Sequence, residues 1–132
     1  MSDPGELLDP VRQYLAAARY AVLATNDPHL VPHQVVVHYR LESTGLLVNG
    51  RADRRWVRNL RRDSHVSLLV PDADRPLHFV RIAGTAELIR TGNPAVEDAM
   101  TLARRYGEDP SAYPGQDRVS FRIVPRRVYE YG

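Results

Sequence analysis

What most constrains the fold of this chain is a repeated pattern of short runs rich in Val, Leu, Ile and Tyr. Each run is closed off by glycine, proline, asparagine or aspartate. Residues 20–25, 30–40, 46–50, 65–70, 77–90, 118–124 and 127–131 read as strands on this pattern, with turns over 26–29, 42–45 and 71–76 and a loop over 108–117. Pro32 must lie at a strand edge or an irregularity, because it cannot donate to a ladder. Gly84, in the middle of the longest run, predicts a bulge or sharp bend. Only three segments show helical spacing. Asp9-Pro10 predicts a cap followed by proline at the first turn of a helix over 10–19. Residues 51–63 form a second helix. Asn93-Pro94 opens a third, with Val96, Met100, Ala103 and Tyr106 along one face and Gly107 ending it. Many strands and few helices give a mainly β class, an antiparallel β-barrel with covering helices. The strand–helix alternation and the GxGxxG of a doubly wound dinucleotide fold are both missing. The 132 residues make one domain, with residues 1–9 expected to be a flexible N-terminal segment.

The segment Arg51-Ala-Asp-Arg-Arg-Trp-Val-Arg-Asn-Leu-Arg-Arg-Asp63 carries six of the 18 basic residues within its first twelve positions, all arginine. At about 100° per residue, Arg54, Arg55, Arg58, Arg61 and Arg62 share one arc of a helix, and Trp56, Val57 and Leu60 lie opposite. Asp53 is placed to cap it through a free backbone N–H. The arginine face has two readings. One is a solvated surface whose stems cover apolar neighbours, which suits Arg61 and Arg62 at the helix end. The other is an anion site, which suits Arg51, Arg54 and Arg55, where a strand runs into a helix N-terminus.

The rest of the chain narrows the partner. The 16 acidic residues nearly balance the arginines, leaving a net charge of +2. A general nucleic-acid binder draws its affinity from a large positive excess, so the local basicity points to a small anionic ligand instead. A nucleic-acid or acidic-protein module remains the competing class, separable by its steep salt dependence. No run approaches the roughly 20 apolar residues of a membrane span. Without cysteine there is no disulfide, thiolate nucleophile or thiolate metal ligand. With no basic-then-apolar leader at the start, the expected setting is cytoplasmic. No GxSxG or HExxH is present, and His33 and His38, five residues apart on one predicted strand, are expected to face opposite sides. No carboxylate pair suggests acid–base work. A ligand site without catalytic groups implies chemistry borrowed from a cofactor.

The series Tyr20-Ala-Val-Leu-Ala-Thr, Pro32-His-Gln-Val-Val-Val-His-Tyr39, the strand to Asn49-Gly50, Val57-Arg-Asn-Leu-Arg-Arg-Asp-Ser-His-Val-Ser-Leu-Leu-Val70 and Ile82-Ala-Gly-Thr-Ala-Glu-Leu88 resembles the pyridoxamine-phosphate-oxidase-like split β-barrel superfamily. Within it, the chain is most similar to the flavin/deazaflavin oxidoreductases. The resemblance implies a homodimer with cofactor sites at the subunit interface and a small-molecule substrate. It places His33, Gln34, Val35 and Val36 along the ring of coenzyme F420 or, alternatively, FMN. Asn49, Gly50, Arg51, Arg54 and Arg55 fall near the phosphate, and His78 and Phe79 would come from the partner subunit. Many members carry lysine where this chain has Trp56, which shifts the phosphate to arginines and favours the deazaflavin branch. Trp56 is either a ligand contact or core packing beneath the helix. A proton would come from solvent or from His33 or Tyr39. The C-terminal substrate-binding residues of pyridoxamine phosphate oxidase itself have no match, so that activity is not expected.

Overall fold

A computed structural model of the protein describes residues 3–132. Met1 and Ser2, the start of the expected N-terminal segment, lie outside the described residues. Helix α1 (Asp9–Ala16) is followed by β1 (Ala21–Asn26), β2 (Pro32–Val37), β3 (Arg40–Glu42), β4 (Gly45–Arg51), α2 (Arg55–Arg62), β5 (His65–Pro71), β6 (Phe79–Thr91), α3 (Gly92–Arg105) and β7 (Arg118–Tyr131). A single 3-10 turn, Pro110–Ala112, interrupts the predicted loop. The seven strands form one antiparallel sheet in the order β2-β1-β5-β6-β7-β4-β3. Its two edge strands, β2 and β3, are separated in the chain only by His38 and Tyr39. The sheet must therefore curl until its edges meet, which closes a split barrel of the expected class.

The interior follows from alternation along the strands. Leu23, Leu46, Val48, Leu68, Val70, Val80, Ile82, Phe121 and Ile123 point inward, and α2 adds Val57 and Leu60 to the same cluster. Pro32 stands at the first position of an edge strand, where its missing N–H costs no ladder bond. At Gly84 the register between β6 and β7 shifts, and a Cβ there would lie 2.1 Å from the Val124 carbonyl oxygen. The close backbone approach thus requires glycine. The extra residue at the bulge is Arg126, Pro125 pairs with Gly84, and the two predicted C-terminal strands are one strand, β7.

Three boundaries move. Asp9 lies inside α1, and Leu8 occupies the cap position without a side-chain bond. Likewise α3 starts at Gly92, one residue before Asn93. Its inward face is Ala95, Val96, Ala99, Leu102 and Ala103, while Met100 is only half-buried. The predicted strand 30–40 divides into β2 and β3, with Tyr39 fully buried between them.

Candidate functional site: an arginine-rimmed cleft between β2, β4 and α2

A cleft of about 520 Å³ opens where the end of β4 turns into α2. One wall is β2, with His33, Val35, Val36 and Val37; the floor is Asn49, Gly50 and Trp56; the rim is Arg51, Arg54, Arg55 and Arg118. Tyr20, His38 and Tyr113 complete it. Nine of the sequence-predicted residues thus share one cavity: His33, Val35, Val36, Asn49, Gly50, Arg51, Arg54, Arg55 and Trp56. Gln34 is exposed and is not among the lining residues. His78 and Phe79 line no part of it in the same chain. They sit at the start of β6, where His78 packs on Tyr14 and Phe79 stacks on Tyr131 with ring centroids 5.3 Å apart.

Trp56 packs in the core beneath the helix and also borders the cleft. Its side chain is 5% exposed and tilted against Phe121, yet it also forms cleft surface. Gly50 makes this possible, since a Cβ at that position would lie 2.2 Å from the Trp56 ring. The opposite face of α2 follows the sequence arc: Arg54, Arg55, Arg58, Arg61 and Arg62 are all exposed. Asn59, which the sequence reading passed over, is buried and donates to Thr25 Oγ1 at 3.0 Å.

The expected cap does not form. A turn closed by Arg54 N–H donating to the Arg51 carbonyl (3.1 Å) places Asp53 one residue too early, and its carboxylate accepts from Arg51 at 3.2 Å instead. The cap position falls to Arg54, which cannot accept. The first-turn N–H groups of α2 are left without a side-chain cap, next in the chain to Arg54 and Arg55.

Arg118, from the first residue of β7, is the largest omission from the sequence reading. Its Nε donates to Asn49 Oδ1 (3.0 Å), one terminal nitrogen donates to Gln116 Oε1 (2.9 Å), and its guanidinium lies over Tyr113. Burial pushes its pKa below the usual guanidinium range; Arg51 and Arg54 push the same way, and Tyr113 opposes them. Asn49 is itself fixed, donating from Nδ2 to the Ala95 carbonyl and to Ser120 Oγ, both at 2.8 Å. Ser120 Oγ donates to Asp98 (2.7 Å), which also accepts from Arg90. The register pairs that could have revealed Arg118, β4 with β7, are not visible in either strand alone.

At the other end, His38 lies beyond β2 and lines the same cavity as His33, contrary to the expected opposite facing. The strand ends at Val37, so alternation no longer governs position 38. His38 stacks on Tyr106 (4.3 Å) and pairs with Glu108. Tyr39 does not reach the cleft. It is fully buried, its hydroxyl donates to the Ala17 carbonyl at 3.0 Å, and burial raises its pKa. That removes it as a proton source for the cavity. Among the described residues no group of three His, Asp or Glu side chains could hold a metal, and no helix is long and apolar enough to cross a membrane.

A second cleft of about 550 Å³ lies across β1, β5 and β6, but its walls are small residues such as Ala24, Ser67, Ala83 and Gly84, with Arg126 and Arg127 at one side. It carries two arginines where the first cleft carries four.

The chain shares its fold with solved structures. It aligns structurally with an F420 reductase at a TM-score of 0.80 and 22% identity, covering 89% of this chain and 94% of the other. A conserved hypothetical protein of Mycobacterium tuberculosis aligns at 0.78 and 24%, covering 99% and 88%. The heme storage protein HutZ of Vibrio cholerae aligns at 0.75 and 20%, covering 96% of each chain. At these identities the likeness is one of fold. No curated protein sequence matches the chain. The sequence profile described as pyridoxamine 5'-phosphate oxidase matches residues 7–132, nearly the whole barrel, and the chain therefore belongs to that family.

Proposed function

We propose that the arginine-rimmed cleft holds coenzyme F420 and that the protein is an F420-dependent oxidoreductase acting on a small organic substrate. One observation carries this reading: a single cavity joins an apolar wall to a cluster of four arginines, which suits a flat ring joined to a phosphate. Val35, Val36 and the Trp56 ring supply surface for a planar heterocycle. Arg51, Arg54 and Arg55, together with the first-turn N–H groups of α2, supply charge and donors for an anion. The residues fit the group by the chemistry of this donor set. When bound, the deazaflavin would supply a hydride from its ring. The chain's own part is to orient the ring against β2, anchor the anionic end and keep water from the reacting face.

The fold-level likeness to an F420 reductase supports the deazaflavin, and tryptophan at position 56 supports it over FMN. FMN is the second candidate because the same donors suit its phosphate. The reading includes a homodimer in which His78 and Phe79 of one chain complete the site of the other, to be checked by light scattering and by loss of affinity in a His78→Ala variant. Trp56, the only tryptophan, reports on the test. F420 should quench its emission saturably, FMN more weakly, and hemin not in a saturable manner. A colourless purified protein with no quenching and no calorimetric heat from F420 or FMN would overturn the proposal.

A further inference from the structure

Arg51 and Arg118 are direct partners in the β4–β7 ladder. Like charges opposite each other on adjacent strands destabilise a sheet, so such a pair needs something negative between or beside it. Arg51 has Asp53, an exposed partner at 3.2 Å. Arg118 has none: among the described residues no carboxylate forms a salt bridge with it, and its partners are the neutral amides of Asn49 and Gln116 and the ring of Tyr113. These partners occupy Nε and one terminal nitrogen. Among the described residues, the remaining N–H groups form no hydrogen bond. A half-buried guanidinium therefore stands fixed at the cleft with donors left over and two arginines nearby.

The fixing is specific. Asn49 spends both amide hydrogens on Ala95 and Ser120, which leaves only its oxygen to face Arg118. The orientation of the amide is dictated by those two acceptors. Asp98, held by Arg90, accepts from Ser120 and so fixes the hydroxyl that Asn49 donates to. Arg54 and Arg55, by contrast, are exposed side chains on flexible stems that attract negative charge of any kind.

We infer that Arg118, paired with Arg51 and aimed by the Asn49–Ser120–Asp98 chain, is the residue that selects ligands carrying a phosphate group. This rests on the cleft being a cofactor site and adds which residue reads the phosphate. Asn49 acts through Arg118 and is a positioning residue. Unlike the α2 arginines, Arg118 offers a planar fork held in one orientation, which suits two oxygens of one oxyanion.

The test compares phosphorylated and phosphate-free ligands: F420 against its deazariboflavin core, and FMN against riboflavin, each titrated by Trp56 quenching. The wild-type protein should prefer the phosphorylated member of each pair. Arg118→Gln should reduce that preference about 10- to 100-fold while leaving affinity for the phosphate-free member unchanged. Arg118→Lys, which keeps charge without the fork, should restore only part of it, and it serves as the probe if the glutamine variant does not fold. Asn49→Ala should lower the preference several-fold in the same direction. An unchanged preference in the Arg118 variants overturns the inference while leaving the cofactor reading in place. If the wild type binds none of these ligands, the cofactor reading falls, and thermal stabilisation by inorganic phosphate decides the seat alone. Stabilisation lost in Arg118→Gln sustains it; equal or no stabilisation in both proteins overturns it.

Discussion

The arginines of α2 divide into an inner pair, Arg54 and Arg55, and an outer set, Arg58, Arg61 and Arg62, and exposure does not separate them, for all five are exposed. Surroundings do. The inner pair borders a cleft with Arg51 and Arg118, next to a helix start whose cap residue cannot accept. Of the outer set, Arg61 and Arg62 sit in the last turn, where cations suit the dipole. Arg62 there donates to the Asn26 carbonyl at 2.6 Å and to Asn59. Identical side chains about two helical turns apart thus stand in different surroundings. Arg62 ties α2 to β1, while Arg54 and Arg55 gather positive charge that no carboxylate among the described residues pairs with in a salt bridge.

The sharpest way to break this contrast is to remove each set. Arg54→Ala combined with Arg55→Ala should weaken F420 binding about 100-fold, two charge-assisted contacts being lost. The folded state should be unaffected in thermal denaturation. Next in size, Gly50→Ala forces a methyl group to within 2.2 Å of Trp56. Overpacking of this kind costs about 1–3 kcal/mol, to be read as a lower urea midpoint with a shifted tryptophan emission.

A smaller effect belongs to the outer end. The Asp63 carboxylate is held at a pKa of about 2, first by the His65 backbone N–H, then by the His65 ring and Asn26. Its folded pKa lies below the unfolded value of about 3.9. The stabilisation is therefore present above about pH 4 and is lost as pH falls toward 2. Asp63→Asn should flatten the decline of the urea midpoint between pH 4 and 2. The exposed setting keeps the difference small. Smallest of all, Arg58→Ala with Arg61→Ala should change F420 affinity less than about twofold. A drop comparable to the Arg54/Arg55 variant, or a salt dependence spanning about three decades between 50 and 200 mM, would restore a polyanion-binding reading of the whole helix.

Much of the barrel was legible in the sequence, because strand patterns and turn residues are local. The bulge at Gly84, the edge position of Pro32 and the inward face of α2 all follow from residue type and period. What escaped depended on contacts between distant segments. Asp53 carries the chemistry of a cap, but a turn at Arg51–Arg54 decided where the helix began. Asn59 lay in plain view, yet its burial is set by Thr25 on β1. His38 was read by strand alternation that ends one residue earlier. Arg118 looked like one of many arginines until the β4–β7 register set it beside Arg51.

That register has a further consequence, for stability as opposed to recognition. The Arg51–Arg118 rung is the last of the β4–β7 ladder, so repulsion acts where the ladder is most prone to fray. On the proposed reading, a bound oxyanion would join the two strand ends that repulsion drives apart. Binding to the folded chain alone raises its stability by mass action. The melting temperature of this protein should therefore rise with ligand concentration. Amide exchange at residues 50–52 and 117–119 should slow before that of any other rung, making this end of the barrel a part of the fold that the ligand finishes.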